Sequence, residues 1–452
     1  MKSEKLPAQI HFIGIGGAGM APLAQYCLKT GRIVSGYDQT PSQNTKLLQS
    51  LGAEIRFGGD VSVPPGAMLA VYTQAIPLEH PALEECRRRG IPVLERAELL
   101  GEVTRPFDTY AVAGMHGKTT VSCMLAEILT RAGKNPTCFL GAGSDKVPAF
   151  RFGGETCVAE ACEYRRSFLH LHPLHEVLLN AEEEHLDYYR DLADVQQAFR
   201  SFVRNRKPGG VLVYGQGENL DFCGRAPNGI SFGLREGDYH AGNLCFREGR
   251  ARFDVVAFGK KAAEVSMRLT GEHNVKNALA AFSAAHATGV NAELCAEALS
   301  AFTGAERRQT RLSCAFTSLY CDYAHHPTEI SATLAALRLL PHRRLIAVFQ
   351  PHTYSRTQKL LKKFLHCFDA ADEVWLLPTF AAREQPECGA DEKVLFCALK
   401  HSNKGLFSGM EEAFSVLPTR AGEQDLLVLL GAGDVNLLAE RLSRDVPEGA
   451  RD

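Results

Sequence analysis

The stretch "YAVAGMHGKTTVSCMLAEILTRAG", residues 110 to 133, constrains this chain more than any other. A short apolar run ends in glycines, a lysine and two threonines, and a run of helical period closed by a glycine follows. Strand, glycine loop and helix in that order form a phosphate-binding loop, in which backbone N–H groups and a helix N-terminus face the phosphate oxygens. Such a strand belongs in a parallel sheet, because the helix after it must pack back onto the sheet before the next strand begins. The strict pattern has a glycine five positions before Gly117, where this chain has Val112, so the loop is either accidental or a shortened variant. The flanking strand and helix favour the variant. Gly114, Met115, His116, Gly117, Lys118, Thr119 and Thr120 are then the candidate phosphate-binding residues. Lys118 would neutralise the terminal phosphate and Thr119 would reach a magnesium ion.

The same alternation of apolar strand and helical run extends on both sides. "IHFIGIGG", "IVSGYD" and "AMLAVYTQAIP" alternate with helix-like stretches until "TRPFDTY" interrupts the pattern. A further series begins after "AERRQTRLS" with "LYCDYAHHPTEISATLAAL", "RLIAVFQPHTYSRTQKLLKKF" and "DLLVLLGAGDVNLLAERL". The expected fold class is α/β in three domains: a Rossmann-like domain over residues 1–105, a central P-loop ATPase-type domain over 106–310 and a C-terminal Rossmann-like α/β domain over 311–452. Lysine and arginine (50) nearly balance aspartate and glutamate (52), which argues against a dedicated binder of nucleic acid or anionic membrane. The first residues lack a signal-type apolar core and no stretch is long and apolar enough to span a bilayer, so the expected location is cytoplasmic, without stable membrane insertion. The 14 cysteines include no CxxC pair and read as reduced, mostly buried thiols. Nothing in the sequence sets an oligomeric state.

Gly14, Gly16 and Gly19 form G-x-G-x-x-G at the end of the first strand, and Asp38 closes the second, where a Rossmann acid meets a ribose. On these marks alone NAD is the leading ligand and a dehydrogenase the reading from another enzyme class. Glu160 and His185 end two later apolar runs, where a carboxylate and an imidazole would join Thr119 in a magnesium site. Glu182, Glu183 and Glu184 read as a solvated turn, and "HLHPLH" as a surface loop rather than a metal site. Asn274 and Asn277 share a helix face, to read an adenine, to fix a loop or, for Asn274, to cap the helix. Arg307 and Arg308 form either a solvated pair or a phosphate contact made on domain closure. "CDYAHHPTE" and "QPHTYSRT" gather Asp322, His325, His326, His352 and Arg356 after two strands, for general-base catalysis or for orienting ATP and gripping a carboxylate.

Taken in order, "GIGGAGM", "GYD", "AVYTQAIP", "IPVLERAELL", "GMHGKTT", "NAEEEHLDYY", "GEHNVKNALAA", "DYAHHPTEI", "QPHTYSRT" and "LLGAGDV" make nearly the whole chain resemble the Mur ligase family. The family's phosphate loop is shortened in the same way, which disposes of Val112 as an objection, and the resemblance exchanges NAD for the UDP part of a sugar nucleotide. It implies that Gly14, Gly16, Gly17, Ala18, Gly19, Met20, Asp38, Thr73 and Ala75 bind that nucleotide. It further implies Lys118 on the ATP γ-phosphate, Thr119, Glu160 and His185 on Mg2+, Asn274 and Asn277 at the adenine, and Arg308, Asp322 and His325 elsewhere on ATP. Tyr323, His325, His352 and Arg356 match positions near the incoming amino acid, and Lys118, Glu160, His185 and Arg308 form the catalytic set. ATP and Mg2+ are the implied cofactors, with UDP-N-acetylmuramate and L-alanine as substrates; the rival within the family joins a whole tripeptide to the same sugar nucleotide. Gln309, Thr353 and Cys162 depart from residues common in relatives, and Arg200 stands near the place of a lysine that some sister ligases carbamoylate.

Overall fold

The computed structural model describes residues 6–184, 188–247, 249–382, 384–386 and 389–444. It divides into two compact units, residues 1–240 with 279–298 and residues 241–278 with 299–452.

The first unit opens with five parallel strands, β1 (Gln9–Ile13), β2 (Ile33–Asp38), β3 (Glu54–Phe57), β4 (Leu69–Tyr72) and β5 (Val93–Glu95), in the order β3-β2-β1-β4-β5. The order reverses between β1 and β4. In an open parallel sheet that reversal leaves a crevice beyond the carboxyl ends of the two strands. Phe12 and Ile13 of the central strand are fully buried, as helices on both sheet faces require.

A second sheet follows: β6 (Asp108–Ala113), β7 (Thr137–Phe139), β8 (Phe150–Arg151), β9 (Thr156–Glu160), β10 (His175–Leu178), β11 (Leu212–Gly215) and β12 (Gly229–Gly233). Its order within this unit is β12-β11-β10-β6-β9-β7-β8, parallel except for the edge pair β7–β8. The order reverses again beside β6, whose carboxyl end carries the glycine loop and the helix Lys118–Arg131. That helix is buried from Thr119 to Leu129, so it reads as apolar almost all round.

In the second unit, β14 (Arg250–Ala257) and β15 (Lys260–Met267) form an antiparallel hairpin turned at Phe258 and Gly259, both at positive φ; β13 (Tyr239–Arg247) precedes them. The C-terminal sheet contains β16 (Thr310–Leu312), β17 (Ser318–Asp322), β18 (Leu345–Phe349), β19 (Glu373–Leu376), β20 (Lys404–Leu406) and β21 (Leu426–Leu430), ordered β16-β17-β21-β18-β19-β20. Only β16 runs antiparallel to its neighbour. "LIAVF" and "LLVLL" are buried at every residue, one face packing on Ile330, Leu334 and Phe364 and the other on Leu438 and Leu442.

One carboxyl buried in this scaffold is held neutral by its burial. Glu176 in β10 is wholly buried, neither of its carboxylate oxygens accepts a hydrogen bond among the described residues, and the Arg206 guanidinium stands 3.8 Å away. Burial pushes the carboxyl up to about 8 against the attraction of Arg206. The folded chain therefore keeps a proton that the unfolded chain releases near 4.5, and this contribution to stability is complete below that pH and is lost as pH rises through about 8. Urea unfolding between pH 5 and 9 should show stability falling with pH by up to about 1.4 kcal/mol per unit from this group. Glu176→Gln should flatten that slope, and an equal slope in the variant would show that the carboxyl is ionised in the fold.

Candidate active site

The first glycine turn sits at the β1–β4 reversal. Gly14 has φ 83°, and its N–H and that of Ile15 donate to the Tyr37 carbonyl, which curls the chain across the end of β2. The Gly16 N–H donates to Asp38 Oδ2 at 2.7 Å. A side chain at Gly16 would meet that same oxygen at 2.9 Å and Thr45 at 2.8 Å, so the close approach of loop to acid requires glycine. Gly17, Ala18 and Gly19 are exposed, Met20 is buried, and the helix Ala21–Lys29 begins after it. Thr73 follows β4, its methyl 3.1 Å from the place of a Cβ on Gly14, and its hydroxyl accepts from the Ala75 N–H at 3.5 Å. Gly14, Gly16, Asp38, Thr73 and Ala75 are thus brought to one crevice. Asp38 spends one oxygen on the loop and the other on the Gln39 N–H, so it shapes the turn as well as facing the crevice.

The second loop is built around one cation. Gly114 has φ 151° and Gly117 φ 86°, and the helix starts at Lys118. The Lys118 ammonium donates to the carbonyls of Gly114 at 2.6 Å and Met115 at 3.1 Å, and Glu163 Oε2 lies 2.9 Å from it. Burial opposes the charge, but Glu163, Cys162 and Glu160 together outweigh it and hold the lysine protonated far above neutral pH. Thr119 Oγ1 donates to Glu160 Oε2 at 2.8 Å, and the same oxygen accepts the Gly141 N–H at 3.0 Å. Asn180, just past β10, accepts the His116 N–H at 2.9 Å and donates to the His116 carbonyl at 3.1 Å, tying the loop to the neighbouring strand end. His116 Nε2 is 3.8 Å from Glu182. Thr120 is buried in the first helical turn.

Lys118, Thr119 and Glu160 are therefore together, as the spacing suggested, while His185 lies outside the described residues. Two residues of this site were missed. Glu163 is 1% exposed although it stands in a polar stretch, and Asn180 is separated from the three glutamates by Ala181. A carboxylate within three residues of Glu160 was the available signal for the first; an amide at a strand end, the position of Asp38 and Glu160, was the signal for the second. The reading of Glu182–Glu184 as a solvated turn needs correction at Glu184, which is 6% exposed, whereas Glu183 is exposed. Arg200 stacks on Phe222 at 4.8 Å. In "HLHPLH", His170 is exposed and His175 begins β10.

In the second unit, Asp322 ends β17 fully enclosed. Its oxygens accept the N–H groups of Gln309 at 2.8 Å and Ala324 at 2.7 Å, and burial raises the carboxyl while Arg308 and those hydrogen bonds oppose the rise. Gln309 and Arg307 both have positive φ, 46° and 58°. The Gln309 side chain accepts from Asn274 at 3.2 Å and meets His273 at 3.3 Å, and Asn277 donates to Asn274 at 3.4 Å. Asn274 also donates to the Thr270 carbonyl, so it fixes a loop rather than capping its helix. Arg307 and Arg308 both lie over the Tyr323 ring, at 4.7 and 5.0 Å; Arg307 holds the carbonyls of Gly431 and Gly433, and Arg308 approaches Glu329 at 3.6 Å. Both are half-buried and engaged, so neither is a freely solvated charge. The His325 ring is 5.9 Å from that of His352 and its Nδ1 is 3.3 Å from Glu329. Burial lowers His325 to about 3, opposed by Glu329; burial and then Arg356 lower His352 to about 4. His326 is a helix cap, accepting the Thr328 N–H at the start of Pro327–Leu337.

Three family models match in order: "Mur ligase family, catalytic domain" over residues 9–108, "Mur ligase middle domain" over 112–285 and "Mur ligase, glutamate ligase domain" over 306–433. The UDP-N-acetylmuramate–L-alanine ligase of Clostridium novyi is 38% identical over 442 residues, 96% of each chain. The ligase of the same name from Agathobacter rectalis is 37% identical over 448 residues, 96% of this chain and 98% of the other. Among solved structures, the UDP-N-acetylmuramate-alanine ligase of Thermotoga maritima superposes with TM-score 0.82 at 26% identity, covering 96% of this chain and 98% of that one. A murein peptide ligase from Psychrobacter arcticus reaches TM-score 0.72 at 25% identity, over 97% and 100%.

Gly114 is the tightest point of the second loop. A Cβ there would lie 2.8 Å from Leu179 Cβ, at a φ that side chains rarely adopt. Gly114→Ala should cost about 1–3 kcal/mol in urea unfolding and weaken nucleotide binding, because the carbonyl that Lys118 uses would move. Unchanged stability and binding would show that the loop has room it does not display.

Proposed function

The chain belongs to the Mur ligase family, and from that premise we propose that it joins L-alanine to the carboxylate of UDP-N-acetylmuramate, converting ATP to ADP and phosphate. The observation that carries this reading is the 38% identity to an enzyme of that name over 96% of both chains. The tripeptide-joining alternative is disfavoured, since the murein peptide ligase superposes less closely, with TM-score 0.72 against 0.82 for the alanine ligase. The product is an early precursor of the peptidoglycan cell wall. On this reading the protein works in the cytoplasm; among the described residues no helix is long and apolar enough to cross a membrane.

The residues at the second loop suit ATP and Mg2+. A threonine hydroxyl and a carboxylate 2.8 Å apart are the hard oxygen donors that magnesium takes, and a buried ammonium beside a helix N-terminus suits a phosphate. When bound, the metal nucleotide supplies the phosphoryl group that turns the muramate carboxylate into an acyl phosphate. The alanine amine then attacks that carbonyl, and the tetrahedral intermediate expels phosphate. On this reading Lys118 would hold positive charge against the transferring phosphoryl group, Thr119, Glu160 and His185 would hold the metal, and Arg308 would offset negative charge. Gly114 to Thr120 contact the phosphates, Asn274 and Asn277 the adenine, Asp322 and His325 the rest of the nucleotide. Gly14, Gly16 to Met20, Asp38, Thr73 and Ala75 take the UDP moiety. Tyr323, His325, His352 and Arg356 receive alanine. The same reading assigns UDP-sugar binding to residues 1–105, ATP binding to 106–310 and closure over ATP and the amino acid to 311–452.

The direct test is phosphate release from ATP with UDP-N-acetylmuramate present, comparing L-alanine, glycine, L-serine and the tripeptide; L-alanine should give the highest kcat/KM, and preference for the tripeptide would reverse the reading. Lys118→Ala should abolish ligation while UDP-N-acetylmuramate still binds, measured by calorimetry, because the sugar nucleotide rests on the other glycine turn. Turnover close to wild type would remove Lys118 from the chemistry. Arg356→Ala should raise the KM for alanine by the loss of a charged hydrogen-bond partner, about 2–5 kcal/mol, with far smaller changes for ATP and the sugar nucleotide. Equal weakening of all three substrates would assign Arg356 to domain closure instead.

A further inference from the structure

A cavity of about 340 Å3 lies in the first unit at the amino ends of β10, β6 and β9, the opposite end of the sheet from the phosphate loop. Strand β6 is six residues long, so about 17 Å of extended chain separates this cavity from Gly114. Register explains how its wall forms. Asp108 pairs with Thr156 and Tyr110 with His175 across adjacent strands, and Asp108 and Tyr110 are two residues apart, so all four side chains leave one face of the sheet. The Tyr110 and His175 rings pack at 4.4 Å, and the Tyr110 hydroxyl donates to Thr288 Oγ1 at 2.7 Å, closing the far wall. Lys134, in the turn after the helix Lys118–Arg131, completes the lining.

Asp108 is within electrostatic reach of Lys207 and His175, and Lys134 of His175. Asp108 and Lys134 are both exposed, and among the described residues neither side chain makes a hydrogen bond or an ion pair, with each other or with a third group. His175 Nδ1 accepts the Val211 N–H at 3.2 Å, which puts the ring proton on Nε2 as a donor. An anion alone would meet Lys134 but be repelled by Asp108, and a cation alone would meet the reverse; a ligand that carries both charges satisfies both. The neutral wall of Tyr110, Val211 and Ala287 suits a small aliphatic group between them. We propose that this cavity binds a zwitterionic amino acid, its ammonium on Asp108 and its carboxylate on Lys134, at a site separate from the one where the ligase reaction takes place.

Equilibrium dialysis of the full-length protein with radiolabelled L-leucine and L-alanine tests this. Wild type should bind amino acid saturably at this site, and Asp108→Asn and Lys134→Met should each raise Kd at least about tenfold. Both variants should keep ligation turnover within about twofold of wild type, since neither residue belongs to the proposed reaction site. Arg356→Ala separates the two sites: it should leave L-leucine binding unchanged, whether or not Arg356 receives alanine in catalysis. Acetate and methylammonium, each with one charge, should not displace the amino acid. Absence of saturable binding, unchanged Kd in both cavity variants, or displacement by acetate alone would each overturn the proposal.

Discussion

The Lys118 ammonium is nearly out of water, and the form of the loop around it follows from satisfying that charge. A buried cation stripped of partners costs several kcal/mol, so the carbonyls of Gly114 and Met115 turn inward and Glu163 stands beside them. Turning those carbonyls requires the φ of 151° at Gly114 that only glycine adopts readily. With the carbonyls inward, the loop is held from outside by both hydrogen bonds of Asn180 to His116. An arriving phosphate therefore meets a charge already fixed in place and pays little to organise it.

The same device recurs at each sheet. A carboxylate at a strand's carboxyl end accepts backbone N–H groups from a loop that belongs to another element: Asp38 from Gly16, Glu160 from Gly141, Asp322 from Gln309. Parallel sheets make this possible, because all their strands deliver side chains and loops to one end. Charge-assisted hydrogen bonds of this type are roughly twice as strong as neutral ones, so each acid fixes a ligand-facing loop without packing. An acid that binds its own loop this tightly has fewer lone pairs left for a ligand, which gives Asp38 and Asp322 as much a shaping part as a contacting one.

Sequence reveals what lies along one strand and its turn, and hides what is joined across strands. The alternation of apolar run and helix, and the glycine and acid punctuation after each strand, correctly indicated three largely parallel sheets. It also indicated that Lys118, Thr119 and Glu160 meet. Glu163 is legible only through its spacing from Glu160, because its partner Lys118 is 45 residues away and the neighbouring Tyr164, Arg165 and Arg166 suggest solvent. The positive φ of Arg307 and Gln309 had no signal at all, since such backbone usually announces itself as glycine or asparagine. His326 misled in the other direction: it belongs to a conspicuous histidine pair, yet it is spent on capping a helix. A charge run such as Glu182–Glu184 usually faces solvent, and the burial of Glu184 follows from the fold of the turn, which composition does not encode.

The C-terminal histidines offer two readings, general base or orienting group, and their surroundings favour the second. Burial is the main force on both, holding His325 at about 3 and His352 at about 4, and the nearby Arg356 pushes in the same direction. An imidazole at about 3 is roughly three orders of magnitude weaker as a base than a free one, and general-base catalysis works best near the operating pH. Neither ring is suited to take a proton from an amine. Both remain good neutral hydrogen-bonding groups with fixed directions, His325 through Nδ1 and the Tyr323 carbonyl, His352 through its stack on Phe380. Arg356 is a permanent charge beside both rings, and it makes no ion pair among the described residues. On the proposed function, the division of labour would give the arginine the attraction for a carboxylate and the neutral rings the angle at which the amine approaches.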